Sequence, residues 1–518
     1  MRYLYGLALV FSIVLLSSCR NDFDSVSSTG NLEFSQDTIF LDTVFSNIGS
    51  STRTLKVYNR SNDDINIPTI QLSQGETSNY RLNVDGLPGK SFEDIMILAK
   101  DSIFVFIETT IDIDNFPNPD NSFLYTDKIL FDTGGNQQDV DLVTLVQDAV
   151  FLFPEEFSDG TIETISLGLD DEGEEILIEG FYLDDDELHF TNEKPYVIYG
   201  YAAVAPNKTL TVDAGSRIHF HASSGILVAN QGTMKVNGEA SVDPELLENQ
   251  VIFEGDRLEP GFSDVPGQWG TIWLTAGSTD HEFSFTTIKN SVVGILMHSN
   301  DGDRTLTLKD VQIYNISNVG LLASTGDVYG ENVVINNCGQ TSLSCSLGGS
   351  YTFNHSTFAN YWNNGFRLFP SVSIDNVLQF GENQFETRDL EANFTNCIIY
   401  GNESRELGLV ESPDAAFNFN FTNTLIKFED PNGNFDDDLN YDFSNDLLYT
   451  NVIRNADPVF FNTDANDFNI ETDTSGADGI GESSTASQVP LDANGTNRNI
   501  SFPDAGAYES TIFPDEGD

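Results

Sequence analysis

A short apolar pattern recurs in the second half of the chain and limits the folds that the chain can adopt. Each copy has an aliphatic or aromatic residue at an equivalent position, at Ile288, Ile313, Ile335, Phe358, Ile399 and Ile426. These positions are 25, 22, 23, 41 and 27 residues apart, and β-branched and aromatic residues surround them without helical periodicity. Such a repeat indicates a solenoid of stacked coils made of short strands. Because the framework of leucine-rich repeats is absent, a parallel β-helix is expected.

Asparagine and aspartate recur at two fixed offsets from these apolar positions. Three residues before them lie Phe285, Asp310, Asn332, His355, Asn396 and Asn423. Asn and Asp tolerate the left-handed backbone of a sharp bend, so this column is predicted to form a corner of each coil. A second column, including Asn315 and Asn337, is predicted to form a ladder of side-chain hydrogen bonds between coils. Asn336 is predicted to point into solvent.

Three segments resemble the opening coils of right-handed parallel β-helix proteins of the pectin-lyase-like superfamily: TLTVDAGSRIHF (209–220), GTMKVNGEA (232–240) and VIFEGD (251–256). DPVFFNTDANDFNI (457–470) and PDAGAYE (503–509) are similar to the C-terminal closure of bacterial β-helix repeat proteins. The resemblance implies a right-handed β-helix over residues 196–460 and a closure and tail over 461–518. Residues 369–390 are predicted to loop out of one coil. The resemblance concerns fold, since this fold hosts lyases, hydrolases, adhesins and inert spikes.

The preceding region has strand patterns spaced about ten residues apart, which is typical of a β-sandwich. The stretch FLDTVFSNIGSSTRTLKVYNRS (40–61) resembles bacterial immunoglobulin-like domains of the abnormal-spindle and Hydin kind. We therefore predict an immunoglobulin-like β-sandwich over residues 31–150. Acidic turns separate apolar runs in residues 151–195, which predicts β-hairpins that connect the two domains and cap the first coil. The predicted fold class is all-β.

The N-terminus has the pattern of an exported lipoprotein. Residues 1–18 contain Arg2, an apolar run and small residues, as in a secretory signal. LSSC, which ends at Cys19, resembles the bacterial lipobox, and the acidic residues after it resemble the surface-export signals of Bacteroidetes lipoproteins. The resemblance implies a lipid on Cys19, a flexible tether over residues 19–30 and an outer-membrane location with display at the cell surface. The alternative is an ordinary cleaved signal with a chance cysteine.

The charge balance argues against nucleic acid as a partner. The chain has 81 Asp and Glu against 23 Lys and Arg, a formal net charge of −58. Such a surplus repels phosphate backbones and anionic membrane surfaces. Cys338, Cys345 and Cys397 remain after Cys19, and an odd number cannot pair fully within one chain. They are interpreted as free core or corner residues, with a small Cys338–Cys345 loop as the alternative.

The resemblance implies polysaccharide cleavage as one possible activity, but no complete catalytic set is evident. The Gly-His-Gly element of polygalacturonase-type hydrolases does not occur in the sequence. Arg367, in NYWNNGFR (360–367), is the best candidate for the basic residue of a lyase. The alternative is that Arg367 is solvated or ion-paired beside the insertion. His219 and His221 alternate with apolar residues and are interpreted as surface histidines.

Several residues are candidates for binding. Trp269, in a segment rich in Pro and Trp, and the pair Tyr361 and Trp362 are candidate platforms for sugar rings. Asp430, Asn432, Asn434 and Asp436 alternate in DPNGNFDDD (430–438), a spacing suited to calcium. The alternative interpretation of the aromatic residues is that they pack in the protein, and that of residues 430–438 is an acidic turn without calcium.

These patterns together favour a lipid-anchored envelope protein that binds a polysaccharide or other cell-surface proteins without catalysis. The alternative is a polysaccharide lyase or glycoside hydrolase whose carboxylates and basic residue converge from consecutive coils.

Overall fold

The computed structural model describes residues 25–116, 121–170, 172–243, 246–298, 304–381 and 384–514. The predicted signal peptide and Cys19 lie outside these ranges. The chain divides into two compact units, Met1–Asp148 and Ala149–Asp518. Both are built from β-strands, and the one α-helix within the described ranges is α1 (Ser483–Gln488). No helix in the described part of the chain is long and apolar enough to cross a membrane.

The first unit is a β-sandwich, as the strand spacing predicts. Its strands are β1 (Val26–Ser27), β2 (Glu33–Phe34), β3 (Thr38–Phe45), β4 (Arg53–Tyr58), β5 (Ile65–Leu72), β6 (Tyr80–Val84), β7 (Leu87–Gly89), β8 (Ser91–Ile97), β9 (Ser102–Thr109), β10 (Ser122–Phe131) and β11 (Gln138–Gln147). One sheet has the order β1-β5-β10-β11-β3, with β8 also paired to β5, and the other has the order β2-β4-β9-β6-β7. Alternate residues of both sheets, such as Val57, Val105, Ile67 and Ile129, form one buried core.

The predicted tether is partly incorporated into this sandwich. Val26 and Ser27 form β1, which pairs in parallel with Ile65 and Asn66 of β5. The tether interpretation is therefore wrong for these residues, because their backbone groups are paired in a sheet.

The second unit is a right-handed parallel β-helix. Its strands up to residue 346 are β12 (Val150–Leu152), β13 (Thr164–Leu169), β14 (Glu175–Tyr182), β15 (His189–Phe190), β16 (Tyr196–Ile198), β17 (Tyr201–Val204), β18 (Thr209–Asp213), β19 (Arg217–Phe220), β20 (Gly225–Val228), β21 (Thr233–Asn237), β22 (Val251–Gly255), β23 (Ile272–Leu274), β24 (His281–Lys289), β25 (Ile295–Met297), β26 (Leu306–Ile316), β27 (Leu321–Ser324), β28 (Asp327–Glu331), β29 (Val334–Cys338) and β30 (Leu343–Ser346).

The remaining strands are β31 (Gly349–Asn354), β32 (Thr357–Asn360), β33 (Val372–Asp375), β34 (Val377–Gly381), β35 (Gln384–Thr387), β36 (Leu390–Thr395), β37 (Ile398–Gly401), β38 (Leu407–Val410), β39 (Phe417–Thr422), β40 (Leu425–Ile426), β41 (Tyr449–Thr450), β42 (Ile453–Arg454), β43 (Phe460–Asn462) and β44 (Asp467–Ile470). Most of them belong to a 19-stranded sheet or to a 10-stranded sheet with the order β13-β14-β17-β20-β23-β25-β27-β30-β33-β38. Both sheets are parallel from coil to coil, apart from the antiparallel pair β13 and β14.

The repeated apolar position forms one vertical file, which confirms the predicted repeat. Ile288 pairs with Ile313, Ile313 with Ile335, and Ile335 with Phe358. Phe358 then pairs with Ile399, and Ile399 with Ile426. Every one of these side chains is fully buried in the same core. The core is therefore a column of like residues stacked at the spacing of neighbouring strands.

The predicted corner column is also confirmed. Phe285, Asp310, Asn332, His355, Asn396 and Asn423 all have positive φ angles, of 42°, 54°, 53°, 46°, 55° and 49°. In the second column, the Asn337 amide donates to Asn315 Oδ1 at 2.7 Å, as an inter-coil ladder requires. The prediction that Asn336 points into solvent is wrong. Asn336 is buried, and its amide donates to Asn466 Oδ1 at 2.9 Å because a later segment covers it.

The coils begin earlier in the chain than the sequence resemblance implies. β12 pairs in parallel with β16, and β14 pairs in parallel with β17. Residues 150–195 are therefore part of the coil stack, although the predicted hairpin is present as β13 and β14. The insertion after β33 is also present, as the antiparallel hairpin of β34 and β35.

Residues 456–514, here called the C-terminal segment, lie along the outside of the coils. Phe468, Ala507 and Tyr508 pack on Val334 and Ala359, which face away from the main core. Polar contacts join the two layers: Asn396 Oδ1 accepts the backbone N–H of Glu482 at 2.6 Å, and Asn332 Oδ1 accepts from Arg498 Nη2 at 2.7 Å. The segment that resembles a closure thus covers the side of the later coils.

The cysteines after Cys19 are free thiols in the core, as the main interpretation of the sequence states. Cys338, Cys345 and Cys397 are fully buried and unpaired with one another. The alternative of a Cys338–Cys345 disulfide is wrong. Burial raises the pKa of each thiol, and that of Cys338 to about 12, so none is a reactive thiolate.

Candidate binding cleft

The loop between β40 and β41 covers the last coils with aromatic rings. Phe435, Tyr441 and Phe443 pack against the end of the main core. The Phe428 ring stacks on Tyr441 with ring centroids 4.8 Å apart, and the Phe443 and Tyr449 centroids are 4.4 Å apart. These aromatic side chains cover the apolar core at the last coil, which would otherwise be exposed to solvent.

Acidic side chains fix the backbone of this loop. Asp430 Oδ2 accepts the backbone N–H of Phe435 at 2.8 Å, and Asp438 Oδ1 accepts that of Asn440 at 3.0 Å. The second contact caps a short 3-10 helix, Leu439–Tyr441, which carries one of the rings. Local side-chain to backbone hydrogen bonds therefore hold the aromatic residues in place.

A cleft of about 570 Å³ opens in this loop, here called the end cleft. Its lining combines aromatic rings with carboxylates and one cation: Phe428, Asp430, Phe435, Asp436, Asp438, Leu439, Tyr441, Asp442, Phe443, Ser444, Val452 and Arg454. Hydrogen bonds from Ser444 lower the pKa of Asp442, so this carboxylate is ionised at neutral pH. The Arg454 guanidinium lies over the Phe443 ring, 4.9 Å from its centroid.

A second cleft, of about 330 Å³, adjoins the first and is here called the side cleft. It is lined by Leu368, Phe369, Pro370, Glu403, Ser404, Arg405, Leu407, Gly408, Phe435 and Tyr441. Phe435 and Tyr441 line both clefts and form the partition between them. The backbone N–H of Leu409 donates to the Tyr441 hydroxyl at 2.7 Å, and burial raises the pKa of this phenol. The partition is therefore anchored to the coil beneath it.

The structure contradicts the interpretation of Arg367 as a base. Its side chain is 1% exposed and forms a two-pronged ion pair with Glu406, at 2.6 and 2.8 Å. Arg367 also donates to the carbonyl of Phe369 at 2.7 Å. A guanidinium buried in this way cannot reach a substrate. It fixes the loop in which Phe366 and Leu368 are 99% and 88% exposed.

The prediction that Trp269 is a platform for sugar rings is also wrong. Trp269 is fully buried, stacks on Phe220 at 4.2 Å and donates its indole N–H to the carbonyl of Lys289 at 2.9 Å. Its neighbour Trp273 is half-buried and lines a cleft on the 10-stranded sheet. Trp269 lies before β23 in an isolated bridge to Ser291, whereas Trp273 lies within β23 between the buried residues Ile272 and Leu274.

Tyr361 and Trp362 do not line either of the two clefts. Tyr361 packs between Phe460 and Phe468 of the C-terminal segment, and burial raises the pKa of its hydroxyl. Trp362 is half-buried, and its carbonyl accepts from the Asn402 amide at 2.9 Å. The role predicted for Tyr361 is therefore wrong, because a later segment covers its ring.

Two of the four residues predicted to bind calcium line the end cleft. Asp430 and Asp436 line the end cleft, whereas Asn432 and Asn434 are exposed and lie outside its lining. Within the described ranges, no group of three or more His, Cys, Asp or Glu side chains is arranged to hold a metal ion. The Asp430 carboxylate instead accepts a backbone hydrogen bond within this acidic turn.

Consecutive coils bring together one charged cluster that the sequence did not predict. Lys289 Nζ lies 2.8 Å from Glu254 Oε2, and His219 Nδ1 lies 3.7 Å from Glu254 Oε1. His219 is buried, which lowers its pKa, so its interpretation as a surface residue is wrong. The Asp256 carboxylate also interacts electrostatically with His219, and that of Asp264 with Lys289.

Sequence reasoning also missed most of the end cleft. Tyr441, Asp438 and Asp442 converge with Arg454 only because the loop folds back over the last coil. A local signal was present, since residues 428–449 alternate aromatic and acidic side chains without an apolar periodicity.

No protein-family model and no curated protein matches the sequence. Among solved structures, the catalytic unit of an α-1,3-glucanase of family GH87 from Streptomyces thermodiastaticus is 12% identical, with a TM-score of 0.30 over 72% of this chain and 74% of that chain. A family 123 glycoside hydrolase from Clostridium perfringens is 10% identical, with a TM-score of 0.16 over 23% of this chain and 26% of that chain. This chain thus spans about a quarter of that hydrolase.

A PapD-like domain of human CEP192 is 12% identical, with a TM-score of 0.15 over 23% of this chain and 86% of that domain. At these TM-scores, the superpositions transfer neither an activity nor site residues to this chain.

Proposed function

We propose that this protein binds a glycan in the end cleft and the side cleft. The observation that carries the proposal is the shared partition of Phe435 and Tyr441, which has carboxylates and arginines on both sides. Aromatic rings complement the C–H face of a sugar, and ionised carboxylates accept strong hydrogen bonds from its hydroxyl groups. Two adjoining clefts suit a ligand of repeated units.

The charges of the clefts favour neutral or amine-bearing glycans. The end cleft has Asp430, Asp436, Asp438 and Asp442 against Arg454 alone. The chain as a whole carries −58. A uronate or sulfated glycan would be repelled by both, since like charges in a cleft oppose binding.

Binding is tested by calorimetry with neutral, cationic and anionic oligosaccharides on the full chain. The Phe435→Ala substitution removes a ring from both clefts and is expected to weaken binding at least about tenfold, roughly 1.4 kcal/mol. Phe461→Ala is the matched control, because Phe461 is an exposed ring that lines neither cleft. Equal affinity of both variants, or a preference for anionic oligosaccharides, would contradict the proposal.

Glycoside hydrolysis is the second candidate function, and one observation favours it. Four aspartates line one cleft, and hydrolysis by the common mechanism uses two carboxyl groups as acid and base or nucleophile. Release of reducing sugar from a glycan by the unsubstituted chain, abolished in Asp436→Asn or Asp438→Asn even at saturating glycan, would establish catalysis. Binding without release over days would favour the non-catalytic scaffold.

We also propose that Cys19 anchors the protein in the outer membrane, with display at the cell surface. The support is the sequence pattern that ends at Cys19. The Cys19→Ser variant is expected to leave the membrane fraction, whereas the unsubstituted protein remains there and is cleaved by protease added to whole cells. Membrane retention of Cys19→Ser would refute the anchor, and protection from the protease would refute surface display.

A further inference from the structure

A third cleft lies on the outer face of the 10-stranded sheet, far along the coils from the end cleft. It has a volume of about 390 Å³ and is here called the Trp273 cleft. Its floor contains Leu227 of β20 and Trp273 of β23, which alternate with core residues and therefore point outward. Ile165 and Leu167 of the β13 strand form its opposite wall. Ile165, Leu227 and Trp273 belong to one small apolar cluster separate from the main core.

The polar groups of the Trp273 cleft are uncharged or held neutral. They are Ser166, Tyr182, Asn230, Thr275 and His298, and no Asp, Glu, Lys or Arg is among its described lining residues. In a chain with 81 acidic residues, a cleft without a carboxylate is a distinct environment. It gives an anionic or cationic ligand no partner, and desolvation of such a ligand would oppose its binding.

One hydrogen bond fixes the tautomer of His298. The Trp273 indole N–H donates to His298 Nδ1 at 3.1 Å. Because an indole can only donate, Nδ1 is the unprotonated nitrogen and Nε2 carries the proton. Burial lowers the pKa of His298, so the imidazole is neutral near pH 7. The remaining polar atom of His298 is therefore a hydrogen-bond donor beside an aromatic face.

The other polar side chains extend this arrangement. The Thr275 hydroxyl donates to the carbonyl of Val228 at 2.7 Å, so its oxygen is left as an acceptor. The Asn230 amide group donates to the carbonyl of Ala276 at 3.2 Å, which leaves its carbonyl oxygen as an acceptor. The His298 donor, the acceptors of Thr275 and Asn230, and the hydroxyls of Ser166 and Tyr182 line one cleft with the Trp273 ring. Together they complement an uncharged ring with hydroxyl or acetamido groups.

We infer that the Trp273 cleft is a second ligand site, which binds an uncharged sugar ring. The site is independent of the end cleft and the side cleft, since they share no lining residue. A chain with two separate sugar sites gains avidity for a polymer that reaches both.

The test is titration of the full chain with cellotriose and with triacetylchitotriose, followed by tryptophan fluorescence and calorimetry. A saturable change in fluorescence with at least one of these neutral trisaccharides is expected. His298→Ala and Trp273→Ala are each expected to lower the affinity for the trisaccharide at least tenfold, as measured by calorimetry. Trp362→Phe is the matched control and should retain the change, because Trp362 does not line this cleft. Phe435→Ala should retain it as well, which separates this site from the clefts of the proposed function.

Circular dichroism and thermal melting establish that each variant is folded. If Trp273→Ala is unfolded, His298→Ala decides, because it preserves the indole and the apolar cluster. A fluorescence change that survives His298→Ala, or the absence of a saturable change with both trisaccharides, would overturn the inference. Equal binding of trigalacturonate would also overturn it, since the cleft offers a carboxylate no counter-charge.

Discussion

Single residues at the corners of the coils combine backbone geometry with side-chain bonding. Asn332 has a φ of 53° and is buried. Its amide donates to Asp310 Oδ1 at 2.8 Å and to the carbonyl of Leu491 at 3.0 Å, while its oxygen accepts from Arg498. One asparagine thus turns a coil, joins it to the preceding coil and holds the C-terminal segment.

Substitution of Asn332 separates these roles. Asn332→Gly and Asn332→Ala both remove the side-chain bonds, but only alanine is strained at positive φ, by about 1–2 kcal/mol. We therefore expect both variants to lose stability in chemical denaturation, with alanine the less stable by that amount. Asn432→Ala, at an exposed position, is the control. Equal stability of the glycine and alanine variants would show that the corner conformation carries no strain.

The ion pair of Arg367 and Glu406 gives a second test at this scale. Glu406→Gln leaves a guanidinium buried without its counter-charge, which typically costs about 3–5 kcal/mol. Glu386→Gln breaks the exposed pair with Arg388, for which about 0–1 kcal/mol is expected. Denaturation midpoints of the two variants compare these costs. Similar denaturation midpoints of the two variants would contradict the prediction that the loss of the buried counter-charge costs more than the loss of the exposed one.

At the scale of elements, the C-terminal segment is held to the coils through a network of buried polar groups. Asp310 lies at a corner of the stack and Asp504 in the segment itself. Burial raises the pKa of each carboxyl to about 6. The protonated forms are therefore favoured when the segment is packed on the coils.

This network predicts the pH dependence of segment docking. An unfolded Asp has a pKa of about 3.9, so between about pH 4 and pH 6 the folded protein binds more protons than the unfolded one. Stability from these groups falls as the pH rises through that window. Hydrogen exchange in residues 456–514 should be slower at about pH 5 than at about pH 7.5 after correction for intrinsic rates.

Asp310→Asn should reduce the difference in corrected exchange rate between the two pH values, because the amide mimics the neutral carboxyl. Asp414→Asn, at an exposed position, should leave the difference unchanged. Faster corrected exchange at the lower pH would contradict the prediction that protonation of Asp310 and Asp504 stabilises the docked C-terminal segment.

At the scale of the whole molecule, the acidic surplus is the dominant property. A net charge of −58 makes the folded chain repel itself. The Debye length falls from about 30 Å at 0.01 M to about 10 Å at 0.1 M salt, so this repulsion is screened as salt is added. The melting temperature should therefore rise between these concentrations, as differential scanning fluorimetry can measure. A melting temperature that is unchanged or falls with added salt would show that the charges are already compensated locally.

The coil stack could be predicted almost completely from the sequence, whereas the clefts could not. Ile313 and Asn332 have neighbours that are set by the repeat, because each coil contacts only the coils beside it. Arg367, Trp269 and Tyr361 were misassigned for a common reason. Their environments depend on contacts with Glu406, Phe220 and Phe460, respectively, which the pattern of the repeat does not include.

The sequence by itself determined the all-β class, the β-helix, its vertical file and its left-handed corners, because a periodic chain repeats its local contacts. The tertiary structure alone decided what covers the coils: the C-terminal segment over Asn336, the aromatic loop over the last coil and the hairpin beside Trp273. These contacts join residues that are far apart in the sequence, and each occurs only once, unlike the contacts that repeat from coil to coil. Their partners are selected by burial and charge in three dimensions, and no spacing along the chain encodes them.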